Sequence, residues 1–491
     1  MTRKGFRFLL AASACLAATP AGAQSTSDGD TDTLKEALAK AYQSNPTLQA
    51  ARANLRATDE TVPLERADAL PTFSAAPSFT ENVYNSGAIQ GSARQASANL
   101  SLAVPVYAGG GVRAGIRGAQ TRVRAGRADL RGTESELFSR VVAAYMDVIQ
   151  NEAIVGLAAS NVEVLNTNLQ ATSDRFEIGD LTRTDVAQSE SRLALAQGDL
   201  RTAEANLIRA RENYIALVGD APGQLQPPPP LPGLPDEPDT AVDVALENNP
   251  DLLGAQERAT AAGYDIRVAS ASRLPRIDIV SSGTYSTFLG SLPVAGLGQE
   301  NSSRGVTAGV RLNLPLFQGG RPAALERQAQ SRAAAALETI VATERDVIAQ
   351  VRAAYSNWRA SNAIIASTQT AVQAAELSLE GVRAEQTVGN RTILNILDAQ
   401  QELLRAQVQL VTARRNAYVA GFALLAAMGR GEARDLGLEE LGPLYDPTVN
   451  YERVRGIIWD WAMDPDPVTQ STRTVDIPAQ DADIPAVQAG E

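Results

Sequence analysis

Two copies of one sequence pattern constrain this chain more than any other feature. The segment VPVYAGG, residues 104–110, matches LPLFQGG, residues 314–320, and the same offset of 210 relates Gly179 to Gly389. Asn45-Pro46 recurs as Asn249-Pro250 at an offset of 204, so an insertion of six residues lies in a loop of the second copy. Matches in register over such a distance predict two tandem repeats of one structural unit.

Each repeat reads as helix, strand, strand, long helix and helix. Apolar residues recur at helical spacing from Leu34 to Arg66, with a bend expected at Pro63, and again from Val242 to Arg273. Period-two alternation follows and predicts strands with one apolar and one polar face. The predicted strands are at about 72–84 and 96–107 in the first repeat and about 276–288 and 304–317 in the second. The alternation alone does not distinguish strands of a membrane barrel from strands of a small soluble sheet, and the two interpretations are about equally supported.

The long helix of each repeat begins after Gly110 or Gly320 and has no strong breaker before about residue 178 or 388. At about 1.5 Å per residue, roughly 66 residues make a rod about 100 Å long. Helices of a compact soluble bundle are about a third of this length, so the pattern favours a coiled coil. Each rod breaks at Gly179 or Gly389, and a shorter helix follows.

Composition divides the chain further. Residues 1–23 combine basic residues, an apolar run and Ala21-Gly22-Ala23, which predicts a secretory signal peptide; lipidation of Cys15 is the less favoured alternative. Beyond it no stretch of about 18 apolar residues is recognised, so no membrane-spanning helix is expected. The predicted segments that follow are a first repeat (24–220), a Pro-rich linker (221–240), a second repeat (241–430), a C-terminal segment (431–464) and a disordered acidic tail (465–491).

The amino-acid composition excludes several kinds of functional site. The 491 residues include no His and one Cys, which lies in the predicted signal peptide. A His proton relay, a His-ligated zinc and a disulfide framework are therefore excluded. The net charge of -12 argues against binding to nucleic acid, which needs clustered cationic residues. We expect no enzyme activity, no cofactor and no metal site.

These features together resemble the TolC-like outer-membrane channel family, from Leu34 to about Gly429. The stretch VGNRTILNILDAQQEL, residues 388–403, looks like the helix-turn-helix at the periplasmic tip of that family, and FEIGDLTRTDVAQ, residues 176–188, is its counterpart. The resemblance implies a mainly α chain with a β-barrel part. Three chains with four strands each would form a twelve-stranded barrel in the outer membrane of a Gram-negative bacterium, continued by a periplasmic helical tunnel. Independently, four strands cannot close a barrel, and open edges are not tolerated in lipid, so the chain must oligomerise.

The resemblance also implies partners. Besides the other chains of a homotrimer and outer-membrane lipid, these are a periplasmic adaptor protein that docks at the helix tips, at Gly179 and Gly389, and an inner-membrane transporter of the ABC or resistance-nodulation-division type. The expected function is a passive duct for efflux of small molecules or for type I protein secretion. The tail LYDPTVNYERVRGIIWDW, residues 444–461, resembles tails of members that serve protein secretion. The alternative function is that of a soluble periplasmic coiled-coil scaffold or adaptor.

Polar links between neighbouring helices hold the periplasmic end of the tunnel shut in that family. By resemblance, Thr184 and Asp185 match the linking pair, and Arg391 matches the linking arginine. Gln386 stands where a linking tyrosine is expected. The alternative interpretation of Asp185 is a helix cap, because Thr182 and Asp185 fit a capping box.

A ring of aspartates narrows the same end of the family's tunnel. Asp398 matches one ring aspartate, whereas Asn395 stands where a second often lies. The ring is therefore expected to carry one charge per chain, which would still favour cations over anions. Asp398 as a solvated coiled-coil residue is the alternative.

Overall fold

The computed structural model describes residues 31–81, 83–84, 94–289 and 301–484. The predicted signal peptide, Cys15 and the end of the predicted tail lie outside these ranges. The elements of the first half are β1 (Thr31–Asp32), α1 (Leu34–Ser44), α2 (Pro46–Asp59), α3 (Thr61–Ala67), β2 (Thr72–Glu81), β3 (Arg94–Ala108), α4 (Gly111–Glu177), α5 (Arg183–Val218) and β4 (Gln224–Leu225). Those of the second half are α6 (Pro238–Asn248), α7 (Pro250–Ala271), β5 (Arg276–Leu289), β6 (Ser302–Asn313), α8 (Arg321–Thr387), α9 (Ile393–Ala427), a 3-10 helix (Leu438–Leu441) and α10 (Pro447–Val454).

The helical region before the first strands is divided differently from the prediction of one helix bent at Pro63. The main break lies at Asn45, which has extended backbone and accepts a 2.9 Å hydrogen bond from the Thr47 amide as the N-cap of α2. A residue that precedes proline is disfavoured in helical backbone, so Pro46 forces the break. Pro63 lies instead in the first turn of α3, where a missing N–H costs no hydrogen bond.

The four long strands form one antiparallel sheet in the order β2-β3-β5-β6. Three of the predicted strands agree with the observed ones within a few residues, but the fourth, predicted to continue to 317, ends at Asn313. Asn313 pairs with Arg276, the first residue of β5, so the described part of the chain offers no partner strand to residues 314–317. A strand ends where its ladder of backbone hydrogen bonds ends.

The two faces of the sheet differ in chemistry. Phe73, Leu102, Ile279 and Val310 lie on one face and are exposed or half-exposed. The opposite face carries two rows of hydroxyl side chains that cross all four strands. The rows are Ser74, Ser101, Ser282 and Thr307, and Ser78, Ser97, Ser286 and Ser303. Within each row, neighbouring hydroxyl oxygens of β2 and β3 and of β5 and β6 lie 2.7–2.8 Å apart. The sheet therefore has one apolar face and one hydrated face.

The long helices α4 and α8 each contain 67 residues. A core forms where α4 packs against α1 and α5, with buried Phe138, Val141, Tyr145, Leu207 and Tyr214. One stretch of α4 is long and apolar enough to cross a membrane, with a mean hydropathy of 1.3, and 44% of it is buried inside the chain. The expectation that no such stretch exists is thus wrong on length and composition, because the apolar residues of this core raise the hydropathy of the helix.

The Pro-rich linker is bound to the long helices through equivalent tyrosines of the two repeats. The Tyr145 hydroxyl lies 2.6 Å from the Gln226 carbonyl oxygen and 2.9 Å from that of Asp32. The Tyr355 hydroxyl, 210 residues later, donates to the Asp236 carbonyl oxygen. An extended segment with few backbone partners of its own is thereby held in place at both of its ends.

The C-terminal tail is also bound, although its composition predicts disorder from residue 465. The Arg211 guanidinium of α5 donates to the carbonyl oxygens of Asp481 at 2.8 Å and Asp483 at 3.0 Å. The Gln480 amide donates to Glu212 at 3.1 Å. Up to residue 484, the expectation of a disordered tail is therefore corrected.

Candidate functional site

The candidate site consists of the two turns that join α4 to α5 and α8 to α9, far from the sheet. At the first turn, Gly179 has φ +81°. Its amide donates to the Phe176 carbonyl oxygen, and the Asp180 amide donates to that of Arg175, both at 2.9 Å. This pair of bonds is the Schellman motif, which needs a left-handed residue that glycine adopts without steric cost.

The second turn repeats this geometry. Gly389 has φ +82°, its amide donates to the Gln386 carbonyl oxygen, and the Asn390 amide donates to that of Glu385, both at 3.0 Å. An added Cβ on Gly179 or Gly389 would meet no atom within 4 Å. The glycines are therefore required by backbone conformation rather than by space.

An ion pair closes each turn on the side of the long helix, and the order of charges differs between the two. At the first turn, Arg175 donates to Asp180 at 2.6 and 2.8 Å. At the second, Arg391 donates to Glu385 at 2.6 Å. The expected linking arginine thus has an acidic partner six residues away in its own turn, and within the described part of one chain it contacts Glu385 rather than Asp185.

A capping box begins each returning helix. Asp185 accepts hydrogen bonds from the Thr182 hydroxyl at 2.7 Å and from the Thr182 amide at 2.9 Å, and these bonds lower the pKa of the Asp185 carboxyl below its usual value. Asn395, its equivalent 210 residues later, accepts through Oδ1 from the Thr392 hydroxyl at 2.9 Å and the Thr392 amide at 3.1 Å. Both predicted gate residues therefore cap helices in the single chain.

The expected ring residue, Asp398, lies one turn further along α9 and has a partner that sequence reasoning missed. Arg192 of α5 donates from Nη2 to Asp398 Oδ1 at 2.8 Å, and both side chains are partly exposed. Next to this pair, Leu165, Ala196 and Leu397 form a small buried cluster that joins α4, α5 and α9. The structure thus brings the two returning helices together at Asp398.

The remaining predicted gate residues lie apart from this pair. Thr184 is exposed in the first turn of α5, and the Gln386 side chain is half-buried near the end of α8. Within the described residues no group of three or more carboxylates, cysteines or histidines is placed to hold a metal ion. The tip therefore consists of capped turns, three exposed ion pairs and one small apolar cluster.

A second polar cluster lies nearer the sheet, where α4 meets the C-terminal segment, and no sequence pattern predicts it. Glu134 accepts a 2.6 Å hydrogen bond from the Ala433 amide, and Arg131 donates to Glu432 at 2.7 Å. Burial raises the pKa of Glu134 to about 7, with a further contribution from the Glu432 charge. This cluster fixes the segment that follows α9 against α4.

Comparison with known proteins decides what these elements belong to. The family model described as "Outer membrane efflux protein" matches residues 37–220 and 241–430. The chain belongs to the outer membrane efflux protein family. The outer membrane efflux protein BepC of Brucella suis biovar 1 (strain 1330) is 31% identical over 424 residues, which are 86% of this chain and 91% of BepC. The outer membrane protein TolC of Escherichia coli (strain K12) is 26% identical over 422 residues, 82% of this chain and 84% of TolC.

Solved structures agree in fold. The Campylobacter jejuni CmeC outer membrane channel superposes with a TM-score of 0.72 at 16% identity, covering 86% of this chain and 89% of CmeC. As a member of the outer membrane efflux protein family, the chain is an outer-membrane channel of an export system, with a large helical part in the periplasm. The alternative of a soluble periplasmic scaffold is therefore wrong, and the expectation of a TolC-like channel is confirmed.

Proposed function

We propose that three copies of this outer membrane efflux protein form a passive duct, in which their sheets close one twelve-stranded barrel and their long helices form a tunnel. The observation that carries this proposal is the two-faced sheet. Its strands contain 10–15 residues, enough to span a bilayer when tilted. The apolar face would contact lipid, and the two hydroxyl rows would face a water-filled lumen.

Closure of the barrel follows from the edges of the sheet. β2 and β6 are the outer strands of the sheet, and among the described residues each pairs on one side only. An unpaired strand edge cannot lie in hydrocarbon, so β6 of one protomer would pair with β2 of the next. Residues 314–317, for which the described residues provide no partner strand, would lie beside the neighbouring protomer.

The helix tips would form the periplasmic gate. Asp398 of each protomer would approach the axis, and Thr184, Asp185, Gln386 and Arg391 would link neighbouring helices. Asp185 and Arg391 first have to exchange their local partners, Thr182 and Glu385, for partners across a helix boundary. Because those local bonds are exposed and individually weak, such an exchange is accessible when an adaptor docks at the glycine turns.

Single-channel conductance in planar bilayers tests the gate. The variant Asp398→Ala should lose block by divalent cations added on the tunnel side, whereas Glu402→Ala, which removes an exposed acid one turn away on α9, should retain it. If divalent-cation block is unchanged in Asp398→Ala, the proposed aspartate ring is wrong.

The mass of the detergent-solubilised protein tests the barrel. It should equal three chains, and the mass of a monomer would contradict the proposed trimeric barrel.

The periplasmic adaptor and the inner-membrane transporter are proposed as partners on family grounds. A deletion strain separates the two cargo classes. Loss of one secreted protein would assign type I secretion, whereas sensitivity to dyes and detergents would assign small-molecule efflux.

A further inference from the structure

The C-terminal segment approaches the sheet and then turns back. Asn450 of α10 donates to Asp59, at the end of α2, at 2.8 Å. Further along, the Arg455 carbonyl oxygen accepts a 2.8 Å hydrogen bond from Arg66 of α3, and β2 begins only six residues after Arg66, at Thr72. The segment therefore runs along α2 and α3 toward the strands.

After this contact the chain turns back, and an ion pair holds the returning segment. Arg453 donates to both carboxylate oxygens of Asp464, at 2.7 and 2.8 Å. Asp464 is thereby brought back beside α10, and the tail then continues to Arg211 near the end of α5. Residues 456–463 are thus a loop closed at its base by a bidentate ion pair, and the loop directly follows Arg455, the residue that contacts α3.

This loop exposes large apolar side chains. Ile458 is 67% exposed, Trp459 70%, Trp461 77% and Met463 83%. A run of this kind on a soluble surface would be costly, and contiguous exposed apolar groups mark a surface that is covered by a partner or a membrane. Nothing in the cores of the described chain requires these side chains.

We propose that residues 456–463 form an interfacial anchor that inserts Trp459 and Trp461 into the periplasmic leaflet of the outer membrane, beside the barrel. The inference rests on the proposed placement of the sheet in the bilayer. Lipid is the occupant because the loop directly follows Arg455, whose carbonyl oxygen contacts α3 six residues before β2 begins, so the loop lies near the end of the sheet that is proposed to enter the bilayer. Tryptophan is enriched at this depth because its ring is apolar and its N–H can bond to headgroups.

The charges of the loop fit the same orientation. Asp464 and Arg453 lie at the base of the loop and neutralise each other, and Arg453 lowers the pKa of Asp464. The base therefore stays in water while the apolar tip enters the interface. Asp460 lies between the two tryptophans, and a carboxylate between them limits insertion to the headgroup region.

Tryptophan fluorescence tests this anchor. The chain contains three tryptophans, so Trp358→Phe leaves only Trp459 and Trp461. The full-length protein is reconstituted in phosphatidylcholine nanodiscs with or without bromine at carbons 6 and 7 of the acyl chains. We expect the emission of the Trp358→Phe variant to be lower in brominated lipid than in the unbrominated lipid. The matched control, with Trp459→Phe and Trp461→Phe, reports Trp358, which packs on Tyr355 in the helical part, and should be unaffected.

Two outcomes would overturn the anchor. Blue-shifted emission that is insensitive to bromine would place the tryptophans against a neighbouring protomer, and red-shifted, insensitive emission would place them in water. Incorporation of the control variant into discs, measured by size exclusion, separates these outcomes from failure of the channel itself. If the control variant does not enter discs, the proposed barrel is wrong. If it does enter them, the fluorescence outcomes test only the proposed membrane insertion of the loop.

Discussion

Arg192 and Asp398 lie 206 residues apart in the chain, yet Arg192 Nη2 donates to Asp398 Oδ1 at 2.8 Å. The pair joins the two returning helices near the tips, and it places a positive charge beside the carboxylate that is proposed to line the gate. The electrostatic potential of the gate therefore depends on both residues and not on Asp398 alone.

Replacing Arg192 should strengthen cation binding at the gate. Arg192→Gln removes the neutralising charge, so we expect block by divalent cations in planar bilayers to tighten by up to about fivefold, because exposed ion pairs contribute about 0.2–1 kcal/mol. Arg405→Gln is the control, since Arg405 is an exposed arginine of α9 whose contact with Glu402 is 4.0 Å long. Equal block in the two variants would contradict the coupling of Arg192 to Asp398.

The glycines of the two tips should be sensitive to alanine for conformational reasons alone. Gly179→Ala and Gly389→Ala put a Cβ on residues with φ above +80°, which costs roughly 1–2 kcal/mol each. We expect faster hydrogen exchange of the amides in residues 176–188 and 386–398, respectively. Gly198→Ala is the matched control: Gly198 is exposed inside helix α5, and alanine there should stabilise by about 0.5–1 kcal/mol. Identical exchange in all three variants would contradict the requirement for left-handed backbone.

These tips show how far the sequence predicts the site. The Gly turns, the Thr182 capping box and the strands follow from local patterns, and the structure places them within a few residues of the prediction. The Arg192–Asp398 pair could not be found this way, because the repeat equivalent of Arg192 is Glu402 and symmetry gives no hint of it. Long-range pairs depend on how α5 and α9 pack, and no short-range pattern records that packing.

For the C-terminal tail, the sequence predicts less order than the structure has. Its composition, poor in large apolar residues, predicts disorder, since such a segment cannot bury enough surface to order itself. Arg211 nevertheless binds its backbone carbonyl oxygens at residues 481 and 483. Composition cannot anticipate order that is imposed by donors on another element.

Glu134 should make stability depend on pH. Burial raises its folded-state pKa from 4.5 to about 7, so between these values the folded chain holds a proton that the unfolded chain has lost. Stability should therefore fall as pH rises from about 4.5 to 7. The shift corresponds to roughly 3 kcal/mol, at about 1.4 kcal/mol per pKa unit.

Thermal unfolding in detergent at pH 5 and pH 8 measures this dependence. Glu134→Gln keeps an oxygen that can accept from the Ala433 amide and removes the titration, so its melting temperature should fall less between the two pH values. Burial also raises the pKa of Glu432, beside Arg131, so Glu432→Gln should reduce the slope in the same direction. An unchanged slope in Glu134→Gln would contradict the raised pKa.

Two neighbouring buried tyrosines should respond in opposite ways to loss of the hydroxyl. The rings of Tyr145 and Tyr214 lie 6.4 Å apart, and both side chains are almost fully buried. The Tyr145 hydroxyl bonds to the Gln226 carbonyl oxygen, whereas the Tyr214 hydroxyl is buried and has no hydrogen-bond partner in the described part of the chain. Tyr145→Phe therefore removes the donor to the Gln226 carbonyl oxygen, while the Asp32 carbonyl oxygen still accepts from the Gln226 amide, and the variant should be destabilised by about 1–3 kcal/mol. Tyr214→Phe removes an unsatisfied group and should be neutral or stabilising. Because the two substitutions delete the same atom at adjacent sites, the difference between their melting temperatures isolates the bond that holds the linker. Equal shifts would mean that this bond contributes nothing to stability.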